Sequence, residues 1–341
     1  MRTKMFLAGM LTVSALLSGC GLTVNVPGAA LPVADRVAET GEAVTSREGK
    51  ELTAGSVAYA TQALGGLPSL TARKTWSSVS YGSDALHKLD IYGTTLSTAR
   101  RPVVVYVHGG GWYLGDKASK MQAKPVSFND QGYVFISINY RLADPSLPVG
   151  KRPMHPCQVQ DVARAIAWVR ANISRYGGDP AKLGLMGHSA GGHLVSLVAS
   201  NPRFLAAHGL TLGAIRGVVA NDTASYDLTT PDTPAVASMI TNAFGTDRGT
   251  LVDASPLFQL KSGQSTPTFL VLVQGSTQRV VAAKTFWDAA ARTDARVPGD
   301  AYREVQLPGY DHEGMNDAVG RPGEQVLTPM IQAYYRQAFG I

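Results

Sequence analysis

The sequence predicts an α/β fold: a doubly wound, mostly parallel sheet flanked by helices and built around one core. Three observations carry that prediction. From residue 74 to residue 341, short β-branched runs alternate with longer helical stretches, the pattern of strands joined by covering helices. The apolar run from Val103 to Val107 is continuous rather than alternating, as suits strands buried on both faces. The composition, 45% hydrophobic and 16% charged over 341 residues, supplies one sizeable core with chain left over for an appendage.

The appendage comes first. Arg2 and Lys4 form a basic head, Met5 to Leu17 is almost wholly apolar, and "LSGC" follows at 17–20, the order of an export signal. The apolar stretch is shorter than the ~20 residues that a membrane-spanning helix needs. The small residues before Cys20 resemble a bacterial lipoprotein cleavage box. That resemblance implies a signal peptide over residues 1–19, lipid on Cys20 and attachment of the mature chain to a membrane; an ordinary signal, cleaved or uncleaved, is the alternative. Gly21, rather than an aspartate, follows the lipid site, and by the same resemblance this implies the outer membrane, facing the periplasm or the exterior. Cys157 is then the only other thiol, so no intramolecular disulfide is expected. Loss of Arg2 and Lys4 takes the formal charge from +6 to +4, with no run of five like charges, and no nucleic-acid partner is expected. Residues 20–73, rich in Ala, Gly, Thr and Val, read as a tether with a short helix at 56–63.

Seven runs then read as strands: "HKLDIYG", "RPVVVYVHGGG", "YVFISINYRL", "KLGLMGHSAG", "IRGVVANDTA", "PTFLVLVQGS" and "YREVQLPGYDH". Between them, "QVQDVARAIAWVRANI" sets Val159, Val162, Ile166 and Val169 on one helical face, a buried stripe against a polar remainder. "AAKTFWDAAARTDA" and "VLTPMIQAYYRQAF" read as further covering helices. In open sheets of this kind, working residues gather on the loops at the carboxyl edge. Gly109, Ser189, Asp222, Gln278 and His312 all fall at such ends.

Gly-x-Ser-x-Gly is weak as a bare pattern, but here "KLGLM" supplies a buried strand before Ser189 and "GHLVSLVAS" a helix after it. That setting marks a nucleophile on a strand-to-helix bend. A serine hydroxyl needs a base. Of the histidines that follow it, His193 lies on the same helix and faces along it, His208 has no strand before it, and His312 follows a late strand between Gly309 and Gly314. His312 is the expected base. "HGGGW" at 108–112 follows a strand, and its glycine amides suit an oxyanion hole with Gly110 and Gly111 as donors, joined by the Ala190 N–H. The histidines lack zinc-ligand spacing and the glycine runs lack a following Lys-Ser or Lys-Thr, so neither metal nor cofactor is expected.

Taken together, "HGGGW", "NYRLA", "DVARAIAWVRANISRYGGDP", "GHSAGGHL" and "YDHEGMN" resemble the α/β-hydrolases, within the carboxylesterase group similar to hormone-sensitive lipase and the bacterial feruloyl and acetyl esterases. The resemblance runs from about Thr75 to the end. It implies a serine hydrolase acting on a small ester, with an amide such as a formamide as the alternative substrate. In relatives the acid of the triad commonly stands in a His-Gly-x-x-Asp segment, where this chain reads "QGSTQRVV" with Gln274 and Gln278. A glutamine can hold a histidine but cannot stabilise its charged form. Asp222, one strand earlier in "VVANDTASYDL", is the expected acid, with Gln278 as orienter or Asp227, Asp311 or Glu304 as the alternatives. The double glutamine also leaves open a degraded site on a tethered binding or scaffold lipoprotein. "TTPDTPAVASMITNAFG" at 229–245 is either a lid over the site or ordinary connecting chain in helical form, and Met239, Ile240 and Phe244 suit an apolar wall or a helix face equally.

Overall fold

The computed structural model describes residues 44–45, 51–52, 73–94, 99–293 and 303–341. The chain divides into two units after Leu70. In the first unit Val44–Thr45 pairs antiparallel with Glu51–Leu52. The signal segment, Cys20 and the helix expected at 56–63 lie outside the described residues.

The second unit is built on eight strands: β1 (Arg73–Ser80), β2 (Lys88–Thr94), β3 (Arg101–Val107), β4 (Val134–Ile138), β5 (Gly178–His188), β6 (Gly217–Asn221), β7 (Thr268–Val273) and β8 (Arg303–Gln306). They lie in the order β8-β7-β6-β5-β3-β4-β2-β1. Strands β3 to β8 pair in parallel, while β2 runs antiparallel to β4, and β1 antiparallel to β2. The seven expected runs are all strands. The eighth, β1, escapes the alternation pattern because it is an outer strand with little to bury: Thr75, Ser77, Ser78 and Ser80 are exposed, and its register slips between Trp76 and Val79.

The period of two in β3 sorts the core into two layers. Val103, Val105 and Val107 face one side, with Leu194, Val195 and Val198 of helix α3 (Ala190–Ser200) and Val162, Ile166 and Val169 of α2 (Cys157–Asn172). Val104 and Tyr106 face the other, with Phe128 of α1 (Lys124–Asp130) and Ile331, Tyr335 and Phe339 of α10 (Leu327–Phe339). Each such side chain contributes about 1.5–3 kcal/mol by leaving water. The buried Tyr335 hydroxyl needs a partner and donates to the Leu185 carbonyl at 2.6 Å.

Helices α4 (Pro202–Ala206), α5 (Pro234–Phe244), α6 (Arg248–Ala254), α7 (Pro256–Gln259), α8 (Thr277–Ala291) and α9 (His312–Asp317) complete the unit. Two motifs of the sequence meet at a buried carboxylate. Asp161, in α2 and fully buried, accepts from the Arg141 backbone N–H at 2.9 Å, from Arg141 Nε and Nη2 at 2.8 and 2.7 Å, and from His87 Nε2 at 2.9 Å. That grip fixes the chain after β4, where Ala143 N–H donates to the Trp112 carbonyl at 2.9 Å. No helix among the described residues is long and apolar enough to cross a membrane.

Candidate active site

Strand β5 ends at His188 and α3 begins at Ala190, leaving Ser189 alone on the bend with φ 54° and ψ −121°. A positive φ costs a side-chain-bearing residue about 1–3 kcal/mol and survives only where the surroundings enforce it. Here they do. The Ser189 N–H donates to Asn221 O and its carbonyl accepts from His193 N–H, both at 3.0 Å. The bend also demands bare backbone on either side: a Cβ on Gly187 would lie 2.7 Å from the Gly192 nitrogen, and one on Gly191 would lie 2.6 Å from the His108 carbonyl oxygen.

Ser189 Oγ lies 2.9 Å from His312 Nε2, and His312 Nδ1 lies 2.6 Å from Asp222 Oδ2. An ionised carboxylate only accepts, so Nδ1 carries the imidazole proton and the Nε2 lone pair faces the serine hydroxyl. Asp222 follows β6 at φ 52° and is fully buried. Burial opposes its ionisation, but the His312 hydrogen bond, the Arg279 charge and the Gln274 hydrogen bond outweigh it and pull the carboxyl down to about 2. Two of the other carboxylates are engaged by their own turns. Asp311 caps α9 by accepting Gly314 N–H at 2.6 Å, and Asp227 accepts Thr229 N–H at 2.8 Å. Gln278 is exposed in the first turn of α8, and Glu304 lies inside β8.

The helix bearing His312 is tied down by groups that sequence patterning did not single out. His188 Nε2 donates to the His312 carbonyl at 2.8 Å, Asn221 Nδ2 to Met315 O at 2.7 Å, and the Tyr106 hydroxyl to Asn316 Oδ1 at 2.8 Å. His188 is held neutral, its imidazole pushed down to about 3 by burial and by the neighbouring His312. The histidine of "GHSAG" adds to the resemblance but its spacing assigns it no role, which shows only where the serine loop meets the histidine loop.

The glycine loop abuts the serine: a Cβ on Gly109 would lie 3.1 Å from Ser189 Cβ. Gly110, at φ 104°, accepts from the N–H groups of Tyr113 and Leu114 at 3.1 and 2.9 Å, and its missing Cβ would sit 2.6 Å from the Leu114 carbonyl carbon. Among the described residues no carbonyl takes the N–H of Gly110, Gly111 or Ala190. His108 is a support: Nδ1 donates to Gly109 O at 2.8 Å and the ring stacks on Tyr140 with centroids 4.5 Å apart. Behind the loop, the buried Lys117 ammonium pairs with Asp90 at 2.9 Å, and Lys117 N–H donates to Asn139 Oδ1 at 2.6 Å.

His193 has a structural place. Its Nε2 donates to Ala254 O at 2.8 Å, which leaves Nδ1 to accept from Trp112 Nε1 at 3.1 Å. Full burial pushes this imidazole down to about 3. His208 lies after α4, away from the triad's hydrogen bonds, its own N–H donating to Leu205 O. The 229–245 segment contains helix α5. Ile240 and Phe244 are buried in the core, Phe244 edge-on to Trp112 at 5.0 Å, whereas Met239 is half-buried and lies against the loop glycines, its Sδ 2.9 Å from where a Gly111 Cβ would be.

Among the described residues no group of three His, Cys, Asp or Glu side chains is arranged to hold a metal ion. The arrangement suits another chemistry: an activated hydroxyl beside unengaged main-chain amides can attack a carbonyl and hold the resulting anion.

The BD-FAE family model matches residues 89–285. The chain is 30% identical over 250 residues to Esterase LipC of Mycobacterium tuberculosis, covering 69% of this chain and 58% of that protein. It is 33% identical over 229 residues to Esterase LipQ of the same organism, covering 62% of this chain and 50% of that protein. The chain thus spans about half the length of these curated relatives. Among solved structures, Esterase B from Lactobacillus rhamnosis superposes with a TM-score of 0.63 at 19% identity, over 83% of this chain and 93% of that one. An esterase from the archaeon Pyrobaculum calidifontis gives 0.62 at 21% identity, over 78% and 86%.

Proposed function

The chain belongs to the BD-FAE family of α/β-hydrolases, and on that premise we propose that it is a serine carboxylesterase hydrolysing small carboxylic esters through an acyl-enzyme. One observation carries the reading: the unbroken line from Ser189 Oγ to His312 Nε2 at 2.9 Å and from His312 Nδ1 to Asp222 at 2.6 Å. Ser189 Oγ attacks the ester carbonyl while His312 Nε2 takes its proton, and Asp222 stabilises the imidazolium that forms. The amides of Gly110, Gly111 and Ala190 receive the new oxyanion, and the N-terminus of α3 adds its partial positive charge. His312 returns the proton to the leaving alcohol, then takes one from the water that releases the acid.

The glutamines of "QGSTQ" are the ground for the scaffold alternative. Gln274 instead donates to both Asp222 oxygens, through its backbone N–H at 3.1 Å and its Nε2 at 2.9 Å, which supports an intact acid rather than a lost one. A chromogenic ester series from acetyl to long acyl, run beside matched anilides, tests the reading. Turnover of short esters well above the anilides is expected; faster anilide cleavage would make it an amidase, and no turnover of either would end the hydrolase reading.

For the N-terminal residues the proposal is lipidation at Cys20 after removal of residues 1–19, anchoring the hydrolase at the outer membrane. Metabolic labelling with a fatty-acid probe should mark the wild-type chain and not Cys20→Ser. Equal labelling of both would contradict it.

A further inference from the structure

The acid of the triad is held on both oxygens by one neighbouring segment. Oδ2 accepts His312 Nδ1–H and Gln274 Nε2–H, while Oδ1 accepts the Gln274 backbone N–H at 3.1 Å and Arg279 Nη2–H at 2.9 Å. Arg279 is further fixed by Nε to Gln274 O at 3.0 Å, Nη2 to Asp222 O at 3.2 Å and Nη1 to Asp232 Oδ2 at 3.2 Å. Gln274 follows β7 and Arg279 sits in the first turn of α8, so the segment that contributes no acid contributes three donors and a full positive charge to the carboxylate of the adjacent strand.

The donors and the charge act in opposite senses on the reaction. The donors fix the Asp222 carboxylate toward His312. The guanidinium, on the far oxygen of the same carboxylate, cancels part of the negative field that would otherwise favour imidazolium. A histidine acts as a base only while neutral. We propose that Arg279 is a positioning residue that sets the acid limb of the pH–rate profile, keeping His312 available as a base at lower pH than an isolated aspartate would allow. The proposal rests on the hydrolytic reading above.

Asp311 and Glu313 flank His312 in the chain, on its own helix, and the charged groups of the other elements are as follows. Arg279 is faced by Asp222 at the end of β6 and by Asp232 in the loop before α5, at 2.9 and 3.2 Å. His312 is faced by Asp222 and by His188 at the end of β5, whose imidazole burial keeps neutral. Lys124 of α1 acts on His188, and burial lowers this ammonium to about 8, so it stays charged throughout the acid limb. Two charges can therefore be removed singly with opposite effects. Arg279→Gln removes the opposing cation and should move the acid limb up; Asp232→Asn leaves that cation unbalanced and should move it down.

The test is kcat/KM against pH, from 4.5 to 9, on a chromogenic ester with the full chain. Arg279→Gln should raise the acid limb by about half to one pH unit, the scale of a unit charge at roughly 6 Å in a partly solvated site. Below the limb this is a loss of about three- to tenfold beyond any loss on the alkaline plateau. Arg279→Lys should return the limb toward wild type, and Asp232→Asn should lower it by about half a unit. A merely structural tie would lower the plateau and the melting temperature and leave the limb in place. An unmoved limb in Arg279→Gln and Asp232→Asn overturns the proposal; should Arg279→Gln not fold, Asp232→Asn decides alone. Wild-type chain that turns over no ester at any pH overturns the hydrolytic reading instead.

Discussion

Gly191→Ala isolates the link between a close backbone approach and catalysis. The new methyl would lie 2.6 Å from the His108 carbonyl oxygen and closer still to that of Val107. Ordinary contact begins at 3.4 Å, so the glycine loop and α3 must separate by about 0.8 Å or more, against backbone atoms that cannot swing aside. Such overpacking costs about 1–3 kcal/mol, offset by up to about 1 kcal/mol of helix propensity gained when alanine replaces glycine. The protein should therefore still fold. Catalysis should suffer more, because the displaced carbonyl stands two residues before Gly110 and the displaced helix carries the Ala190 amide. A misplacement near 1 Å costs about 100-fold in rate. Gly192→Ala is the control one residue along: its methyl would meet nothing nearer than 3.2 Å, and kcat should stay within about fivefold of wild type. The assay is steady-state hydrolysis of a short chromogenic ester beside urea denaturation of all three proteins. A folded Gly191→Ala retaining more than half of wild-type kcat would refute the argument.

Asp222→Asn should lower kcat by roughly 10³–10⁴-fold by presenting the wrong hydrogen-bonding partner to His312 Nδ1, while Gln278→Ala, at an exposed position, should change it little; the reverse order would reassign the orienting group. Asp161→Ala leaves Arg141 and His87 without their carboxylate and should lower stability by about 3 kcal/mol, toward the low end for a broken buried pair because the Arg141 side chain is 26% exposed; an unchanged urea midpoint would contradict this. His188 and His193 are both pushed down to about 3 in the folded chain, against about 6.5 when unfolded. The unfolded chain therefore binds protons that the native state refuses, so the contribution of these two rings to stability is constant above pH 7 and falls below about 6.5, by up to about 1.4 kcal/mol per pH unit for each imidazole. Urea midpoints that do not fall between pH 7.5 and 5.5 would show these rings protonated in place.

The strands were legible because continuous apolar runs survive reading from sequence alone, and the placement of Ser189 and His312 because sharp bends at strand ends demand glycine on a recognisable spacing. The less legible parts have common physical causes. The outer strand β1 buries one face at most, and α1 is seven residues long, too short to display a helical period. Asp222 stood among several carboxylates in sequence; only the fold shows Asp311 and Asp227 engaged with their own turns. Arg279 and Gln274 carry no motif of their own, since their relation to Asp222 spans two adjacent strands. A buried carboxylate does need donors, and Gln274 and Arg279 of "QGSTQRVV" were the available sign of them.

A fluorophosphonate probe on the folded protein, followed by peptide mapping, is the most direct measurement of whether residue 189 behaves as an activated nucleophile. Stoichiometric phosphonylation confined to the peptide containing Ser189, abolished in Ser189→Ala and strongly slowed in His312→Ala, is the predicted result. Folded wild-type protein that stays unlabelled, or that takes up the probe equally well without the serine, would contradict the account.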